Sequence, residues 1–453
     1  MILSKFIIIM FYRKITQISQ IVDNWIKFNE KSFLLILFTM AFLIRLIFGY
    51  YEYFLNNGLS NYSDDWDYIG MAQEFLNGNF FNFTGVNLVP GADVKDIVNH
   101  RIPPGLPILL VPFIALFGHN YFFFILFNIF LISASIIAAY LLCKEVFTRH
   151  VALLSSLWLV FYWPTIRNIH RVLKEPLLIF LVIVLILFYI KAIKHNNFIF
   201  LFIASLSNVY LFHTDERFII FVPVFLVGFF YLYNNNSKYL LKQLIFYTTS
   251  LLVLSSPWCI KNYIVYKQPV IVTSRLSDQL NPLLGLDPIY HKILSNEEFK
   301  TKLEKKWNKK EKTQLEIEFN QSGHHPYLYL GWEKYVQNIF VHWRFFHLSP
   351  DYTKLGYTFA GPWSLQANIL YPIQWGFPLL FFFVGIYFLI KNNNRFGIFL
   401  FLLVLLHGIV HSGLFIYGSP RYRLPIDAVV IIIASYGLIQ LYQFIIQKTV
   451  KYL

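Results

Sequence analysis

Charge is scarce in this chain. Only 14% of its 453 residues are charged, and acids are the rarer kind, 24 Asp and Glu against 38 Lys and Arg. A soluble domain of this length carries far more, because its surface has to be solvated. Cysteine is scarce as well: Cys143 and Cys259 are the only two, which argues against a disulfide framework and a Cys-based metal site. No small-residue cleavage site follows the apolar run at 6–12, and that run is too short to cross a bilayer. Residues 1–31 therefore read as a cytoplasmic, partly interfacial segment. A continuous basic face is missing too. The formal charge of +14 is spread over short connectors between apolar runs, as the positive-inside rule predicts, and this argues against nucleic acid as a partner.

What the chain does have is hydrocarbon, at 57% hydrophobic and 20% aromatic residues with a mean hydropathy of +0.53. Apolar runs near the length needed to cross a bilayer recur from end to end, which predicts an all-α polytopic membrane protein. The first span, 32–50, leads from Lys27 and Lys31 to Glu52, Asp64, Asp65 and Asp67, so it runs outward and the acidic loop faces out. Residues 106–117, between prolines and Gly118, are too short to cross and read as a re-entrant or surface-lying helix. Spans at 121–142, 151–166, 176–190, 198–212, 218–233, 244–258, 369–390, 396–417 and 424–446 then alternate. They return to Lys144 and Arg149, to Lys191 and Lys194, to Lys238 and Lys242, to Lys391 and Arg395, and to Lys448 and Lys451. The pattern predicts about ten transmembrane helices with both termini cytoplasmic. It divides the chain into the segment 1–31, a transmembrane module 32–258 with a first outer loop 51–120, a large extracytoplasmic region 259–368 and a C-terminal transmembrane module 369–453.

A second pattern runs against the orientation rule. Arg101, Arg167, Arg171, Lys174, Arg217, Lys261, Arg421 and Arg423 all fall on the outer side, close to span ends. Singly, each is explained by snorkelling or a local pair, such as Arg171 with Glu175 at helical i,i+4 spacing. As a set beside an acidic loop they point to an anionic lipid phosphate, which Arg and Lys complement at a low-dielectric interface. In the acidic loop itself, Tyr68, Ala72, Phe75 and Leu76 recur at helical intervals after Asp64, Asp65 and Asp67. A carboxylate at that helix start serves either as a general base or as an N-cap of its own helix. Within 259–368, residues 296–321 read as a charged helix with Phe299, Leu303 and Trp307 on one side, and 326–344 as a return along the membrane surface. His324 and His325 lack a spaced partner motif and read as a solvated turn.

One family collects these pieces. The order Asp64-Asp65-Trp66-Asp67-Tyr68, then Arg101-Ile102-Pro103-Pro104-Gly105, Lys144-Glu145-Val146-Phe147, Glu175-Pro176, Ser256-Pro257-Trp258-Cys259-Ile260-Lys261-Asn262-Tyr263 and Arg421-Tyr422-Arg423-Leu424-Pro425 resembles the GT-C membrane glycosyltransferases. The branch it looks most like contains protein O-mannosyltransferases and the aminoarabinose transferases that modify lipid A, and the resemblance runs from about residue 33 to 446. It implies transfer of a sugar, with inversion, from a polyprenyl-phosphate carrier to a lipid, glycan or protein acceptor on the extracytoplasmic face.

By that resemblance Asp64 matches the catalytic aspartate that deprotonates the acceptor, with Asp65 beside it where relatives often have Glu. Arg101 matches the cation that binds the carrier phosphate. His100 stands where some relatives carry an acid used in a metal site, so the metal is not carried over by resemblance; a divalent metal stays open as a cofactor and no other cofactor is called for. Glu175 matches an acid before the proline at the outer start of a span, either an acceptor contact or the partner of Arg171. Arg421 and Arg423 match a late segment that contacts or clamps the phosphate. His100, Arg171, Lys174 and Arg217 complete the candidate binding set, while Lys261 and Asn262 read as structural. The Lys, Asn, Ile and Phe bias suggests an AT-rich genome and hence a bacterial inner membrane.

Two readings from other classes remain beside this one. A lipid-linked-sugar transporter would have ionisable or broken spans near mid-membrane and a two-half symmetry; Arg45 is the main charge within a span, near its outer end, and no internal repeat is evident. A catalytically inactive family member is opposed by the Asp64 and Arg101 matches.

Overall fold

The computed structural model describes residues 24–55, 63–78, 102–167, 169, 171–233, 237–266, 270–273, 343, 348–351, 356–359, 372–411 and 420–451. Its helices are α1 (Glu30–Leu55), α2 (Ser63–Leu76), α3 (Gly105–Phe117), α4 (Tyr121–Val146), α5 (Arg149–Val160), α6 (Trp163–Arg167), α7 (Glu175–His195), α8 (Phe198–Thr214), α9 (Phe221–Leu232), α10 (Ser237–Tyr266), α11 (Phe377–Lys391), α12 (Arg395–Ile409) and α13 (Leu424–Lys451). Among the described residues six segments are long and apolar enough to cross a membrane: Glu30–Phe54, Tyr121–Val146, Glu175–His195, Tyr239–Ile264, Ile373–Lys391 and Arg421–Lys448. This is an all-α polytopic membrane protein. The other four expected spans are α5, α8, α9 and α12, helices of 12, 17, 12 and 15 residues.

Short polar connectors punctuate the apolar runs. Asn120, Asn197 and Asn394 each cap the helix that follows, their side-chain oxygens accepting from the backbone N–H of Phe122, of Ile199 and Phe200, and of Gly397. α7 shows both end signals, with Glu175 and Pro176 in its first turn and Lys194 and His195 in its last. Asn196 then takes the left-handed conformation that ends it. With two-residue links at 147–148 and 196–197, α4 to α5 and α7 to α8 are forced into antiparallel contact.

α7 is the centre of the bundle. It is buried from Glu175 to Ile193 and packs against α4, α8 and α13. α13 in turn lies against α11, where a Cβ at Gly437 would meet Phe381 O at 2.3 Å and one at Gly385 would meet Ile433 O at 2.3 Å. Glycine at both places lets the two backbones touch, the small-residue packing that holds helices together in lipid.

Three elements differ from the sequence reading. The expected span 151–166 is broken, because α5 stops at Val160 and a separate turn, α6, follows Tyr162. The break has two causes: Trp163-Pro164 opposes helical continuation, and the Arg45 guanidinium of α1 takes the freed carbonyls. Its Nη1 donates to Val160 O at 3.1 Å and its Nη2 to Leu159 O at 3.0 Å and Thr165 Oγ1 at 2.8 Å. α10 runs on past Trp258 to Tyr266 despite Pro257 within it. In the region 259–368 a two-stranded antiparallel ribbon, β1 (Leu348–Asp351) with β2 (Gly356–Phe359), pairs Leu348 with Phe359 and Asp351 with Gly356. The expectations for 296–321, His324-His325 and 326–344 lie outside the described residues, Trp343 excepted. α3 is a helix of 13 residues, about 20 Å long and short of a ~30 Å hydrocarbon core.

Candidate active site

The acidic stretch folds as its spacing predicts. α2 begins at Ser63, and Tyr68, Ile69 and Ala72 form its buried face. Asp65 is fully buried. Its Oδ2 accepts from Tyr121 Oη at 2.5 Å and from Val172 N at 3.2 Å, so the helix start is tied both to α4 and to the chain just before α7. Of Asp64 the backbone is described, as part of α2, and the side chain is not. His100 and Arg101 lie outside the described residues.

The chain before α7 carries the next group. Asn128 Nδ2 on α4 donates to Ile169 O at 3.2 Å and Arg171 O at 2.7 Å. Arg171 stands in a bend, because the helix begins only at Glu175, and the i,i+4 helical geometry supposed for Arg171 and Glu175 does not form. Glu175 Oε1 instead accepts from Arg421 Nε at 2.5 Å, across 246 positions of sequence. Among the described residues the buried Glu175 Oε2 has no hydrogen-bond partner.

Two further buried groups complete the cluster. Asp215, between α8 and the 3-10 turn Glu216–Ile220, is flanked by two cations, Lys174 Nζ at 2.9 Å and the Arg217 guanidinium. Burial pushes the Asp215 carboxyl up, but Arg217 and Lys174 outweigh it and hold it well below the usual carboxylate range. Arg217 Cζ lies 4.1 Å over the Tyr422 ring, and Arg421 approaches the same ring at 5.9 Å. One turn into α13, Arg423 Nε donates to Asp427 Oδ1 at 2.8 Å, Tyr162 Oη donates to Asp427 Oδ2 at 2.6 Å, and Arg423 Cζ sits 3.3 Å over Trp375.

α3 and α10 close the same end of the bundle. A Cβ at Gly105 would meet Thr214 Oγ1 at 2.2 Å, so glycine is what lets the start of α3 abut the end of α8, where Tyr210 Oη donates to Gly105 O at 2.6 Å. This fixes the Pro103-Pro104-Gly105 step that follows Arg101. At the end of α10, Trp258 Nε1 donates to Val272 O at 2.8 Å, Asn262 Nδ2 donates to Val270 O at 2.9 Å, and Lys261 Nζ lies 4.2 Å over the Trp258 ring. These bonds give Lys261 and Asn262 the structural surroundings expected of them.

The structure thus brings Asp65, Arg171, Lys174, Glu175, Arg217, Arg421 and Arg423 to one end of the bundle. It also supplies the carboxylates that four of the cations pair with. Asp215 and Asp427 had a sequence signal, two residues before Arg217 and four after Arg423, whereas Tyr121, Asn128 and Tyr162 are apolar-run residues with none. Among the described residues no group of three or more His, Cys, Asp or Glu is arranged to hold a metal.

No family model and no curated protein matches the sequence. Solved structures do. Archaeal oligosaccharyltransferase AglB from Archaeoglobus fulgidus, in complex with an inhibitory peptide and a dolichol-phosphate, is similar over 94% of this chain and 52% of that one, at 14% identity and a TM-score of 0.56. The Archaeoglobus fulgidus oligosaccharyltransferase in its apo form gives 13% identity and 0.56 over 92% and 52%. The same enzyme tethered to an acceptor peptide containing the NVT sequon gives 13% and 0.54 over 93% and 50%. The chain spans about half the length of the solved structures it matches. What the likeness shows is the fold: this chain is built as a polytopic membrane protein of the GT-C type.

Proposed function

We propose that the protein is a membrane glycosyltransferase that moves a hexosyl or pentosyl group from a polyprenyl-phosphate carrier to an acceptor on the extracytoplasmic face. One observation carries the reading. The acidic helix α2, the Arg171–Glu175 segment and the Arg421–Arg423 turn, far apart in sequence, meet at one end of a GT-C-type bundle, so carboxylates and cations share a membrane-edge site. The architecture common with an enzyme solved with dolichol-phosphate supports a lipid-phosphate ligand.

The chemistry asked of this end is a displacement at the sugar's anomeric carbon. The acceptor heteroatom forms a bond to that carbon while its proton passes to a carboxylate, assigned to Asp64 by resemblance. The bond from the anomeric carbon to the carrier's phosphate oxygen breaks on the opposite face, which inverts the centre. The electron pair leaves with the phosphate, where Arg101 meets the growing charge. Arg421 contributes less charge to that task than its sequence position suggests, because Glu175 neutralises it. Asp215 likewise pairs with both Lys174 and Arg217, and the neighbouring Glu216 adds a further buried carboxylate beside Arg217. Glu175 is held as the partner of Arg421, with its Oε2 buried beside that pair.

The test is loss and rescue of a surface glycan. The gene is deleted, lipid A, glycolipids and glycoproteins are profiled by mass spectrometry, and the strain is complemented with wild type, Asp64→Ala or Arg101→Ala at matched expression. One sugar mass missing from one acceptor, restored by wild type and by neither variant, is the expected result. Full rescue by Asp64→Ala removes the base assignment.

A further inference from the structure

Three protein groups meet at the start of α2. Tyr121 opens α4, Val172 lies in the segment leading to α7, and Asp65 is on α2. Val172 N also approaches Tyr121 Oη at 3.2 Å, so its N–H is shared between the carboxylate and the phenol and the three groups close a triangle. Seven residues, or two turns, along α4 from Tyr121, Asn128 holds the carbonyls of Ile169 and Arg171. The Val172 N–H is thereby turned toward Asp65. The far end of the same segment is fixed by Lys174 on Asp215 and Glu175 on Arg421.

We infer that Asp65 is a positioning residue, the joint that sets the acidic helix against the Arg171–Glu175 segment, and that proton abstraction falls to a different carboxylate. The inference rests on the transferase reading above and divides between two neighbouring aspartates a role that the sequence leaves shared. A general base has to come within about 2.6–3.2 Å of the acceptor's proton-bearing atom. Asp65 is enclosed, with Oδ2 taken by two protein donors from two other elements. What those bonds do fix is spacing: the start of α2, with Asp64 in it, is held at a set distance from Lys174 and Glu175.

The test has one arm that needs no substrate. Thermal unfolding of the full-length protein in detergent is compared for wild type, Asp65→Ala, Tyr121→Phe and the double variant. The joint predicts that the double variant loses less than the sum of the two single variants, since the Tyr121–Asp65 bond is already lost in Asp65→Ala and only the Val172 N–H bond to Tyr121 Oη is left to break. The second arm reads glycan product in the complemented deletion strain. Asp65→Asn keeps an oxygen that can accept both bonds and retains product within about tenfold of wild type, whereas Asp65→Ala falls by about 100-fold or more. Tyr121→Phe lies between, at about 10-fold. Asp65→Asn as inactive as Asp65→Ala overturns the inference, and so does additive melting. Non-additive melting in a protein whose wild type restores no glycan leaves the joint standing and removes the transferase reading instead.

Discussion

The two ends of the bundle are both laced with ion pairs, yet they are built on opposite principles. At the end away from α2, Lys144 pairs with Glu30 at 2.5 Å with side chains 33% and 31% exposed, and Glu145 is ringed by Lys191, Lys194 and His195 at 3.8 to 4.0 Å. At the α2 end, Arg423 and Asp427 are each 1% exposed, and Asp215 is enclosed by its two cations. Exposed pairs give up little hydration and gain little. Buried pairs give up a great deal, and apolar replacements often do as well or better for stability. A membrane bundle that needed only to stand would have no use for the second kind. On the proposed reading, its concentration at one end marks where fixed charges serve something besides folding.

The contrast is sharpest at Asp215. Asp215→Ala takes from Lys174 and Arg217 the carboxylate they share, leaving Glu216 as the acid beside Arg217, and its cost is expected at the upper end of the ~3–5 kcal/mol typical of breaking a buried pair. The measurement is folded yield and melting temperature in detergent. Asp215→Asn adds a pH signature. Because the native carboxyl titrates below its unfolded value of about 3.9, its contribution is fully present above that pH and is lost as pH falls through the native value. The stability gap between wild type and Asp215→Asn is therefore constant from neutral pH down to about 4 and closes only below it. A gap that closes between pH 5 and 7 instead removes the argument.

Next in size is the Arg423–Asp427 pair. Asp427→Leu removes the buried carboxylate to which Arg423 Nε and Tyr162 Oη both donate, with an expected loss of about 3–5 kcal/mol in unfolding free energy. Arg423→Met combined with Asp427→Leu removes the charge with its partner and recovers most of that loss. If the double variant is then stable but forms no glycan, the pair is kept for the site. If it is stable and active, the two ends differ in burial alone and the functional reading of that difference fails.

Much of this was legible beforehand, for reasons that particular residues make plain. The spans could be read because bilayer thickness imposes a length on apolar runs, and α2 because Tyr68 and Ala72 repeat at a helix's period. Arg171, Lys174, Arg217, Arg421 and Arg423 could be collected because a cation beside an outer span end violates a rule, and Glu175 because the resemblance has an acid before that proline. Of their partners, Asp215 and Asp427 stand close by in sequence, but the pairing of Glu175 with Arg421 does not show there. Glu175 chooses Arg421 over the nearer Arg171 only because α7 starts at Glu175 itself, and that start depends on how Asn128 holds the preceding segment. Tyr121 and Tyr162 sit in runs of aromatics where one phenol looks like another until the fold brings a carboxylate to it. The break after Val160 had one cause in plain sight, Trp163-Pro164, and one hidden, since Arg45 reaches it from 115 positions away.

The smallest effect belongs to the exposed end and is the control for the rest. Lys144→Met leaves Glu30 a third exposed and free to be hydrated, so the loss is expected at no more than ~1 kcal/mol, with little change in glycan product. It also has a dependence the buried pairs lack. Raising ionic strength to about 1 M shrinks the screening length to ~3 Å and erases the small difference between wild type and Lys144→Met. The deficits of Asp215→Ala and Asp427→Leu, shielded from ions by the helices around them, persist in the same buffer. Equal salt sensitivity at both ends would mean that water reaches Asp215 and Asp427 as freely as it reaches Glu30, and that the α2 end is an open basin of solvated charge.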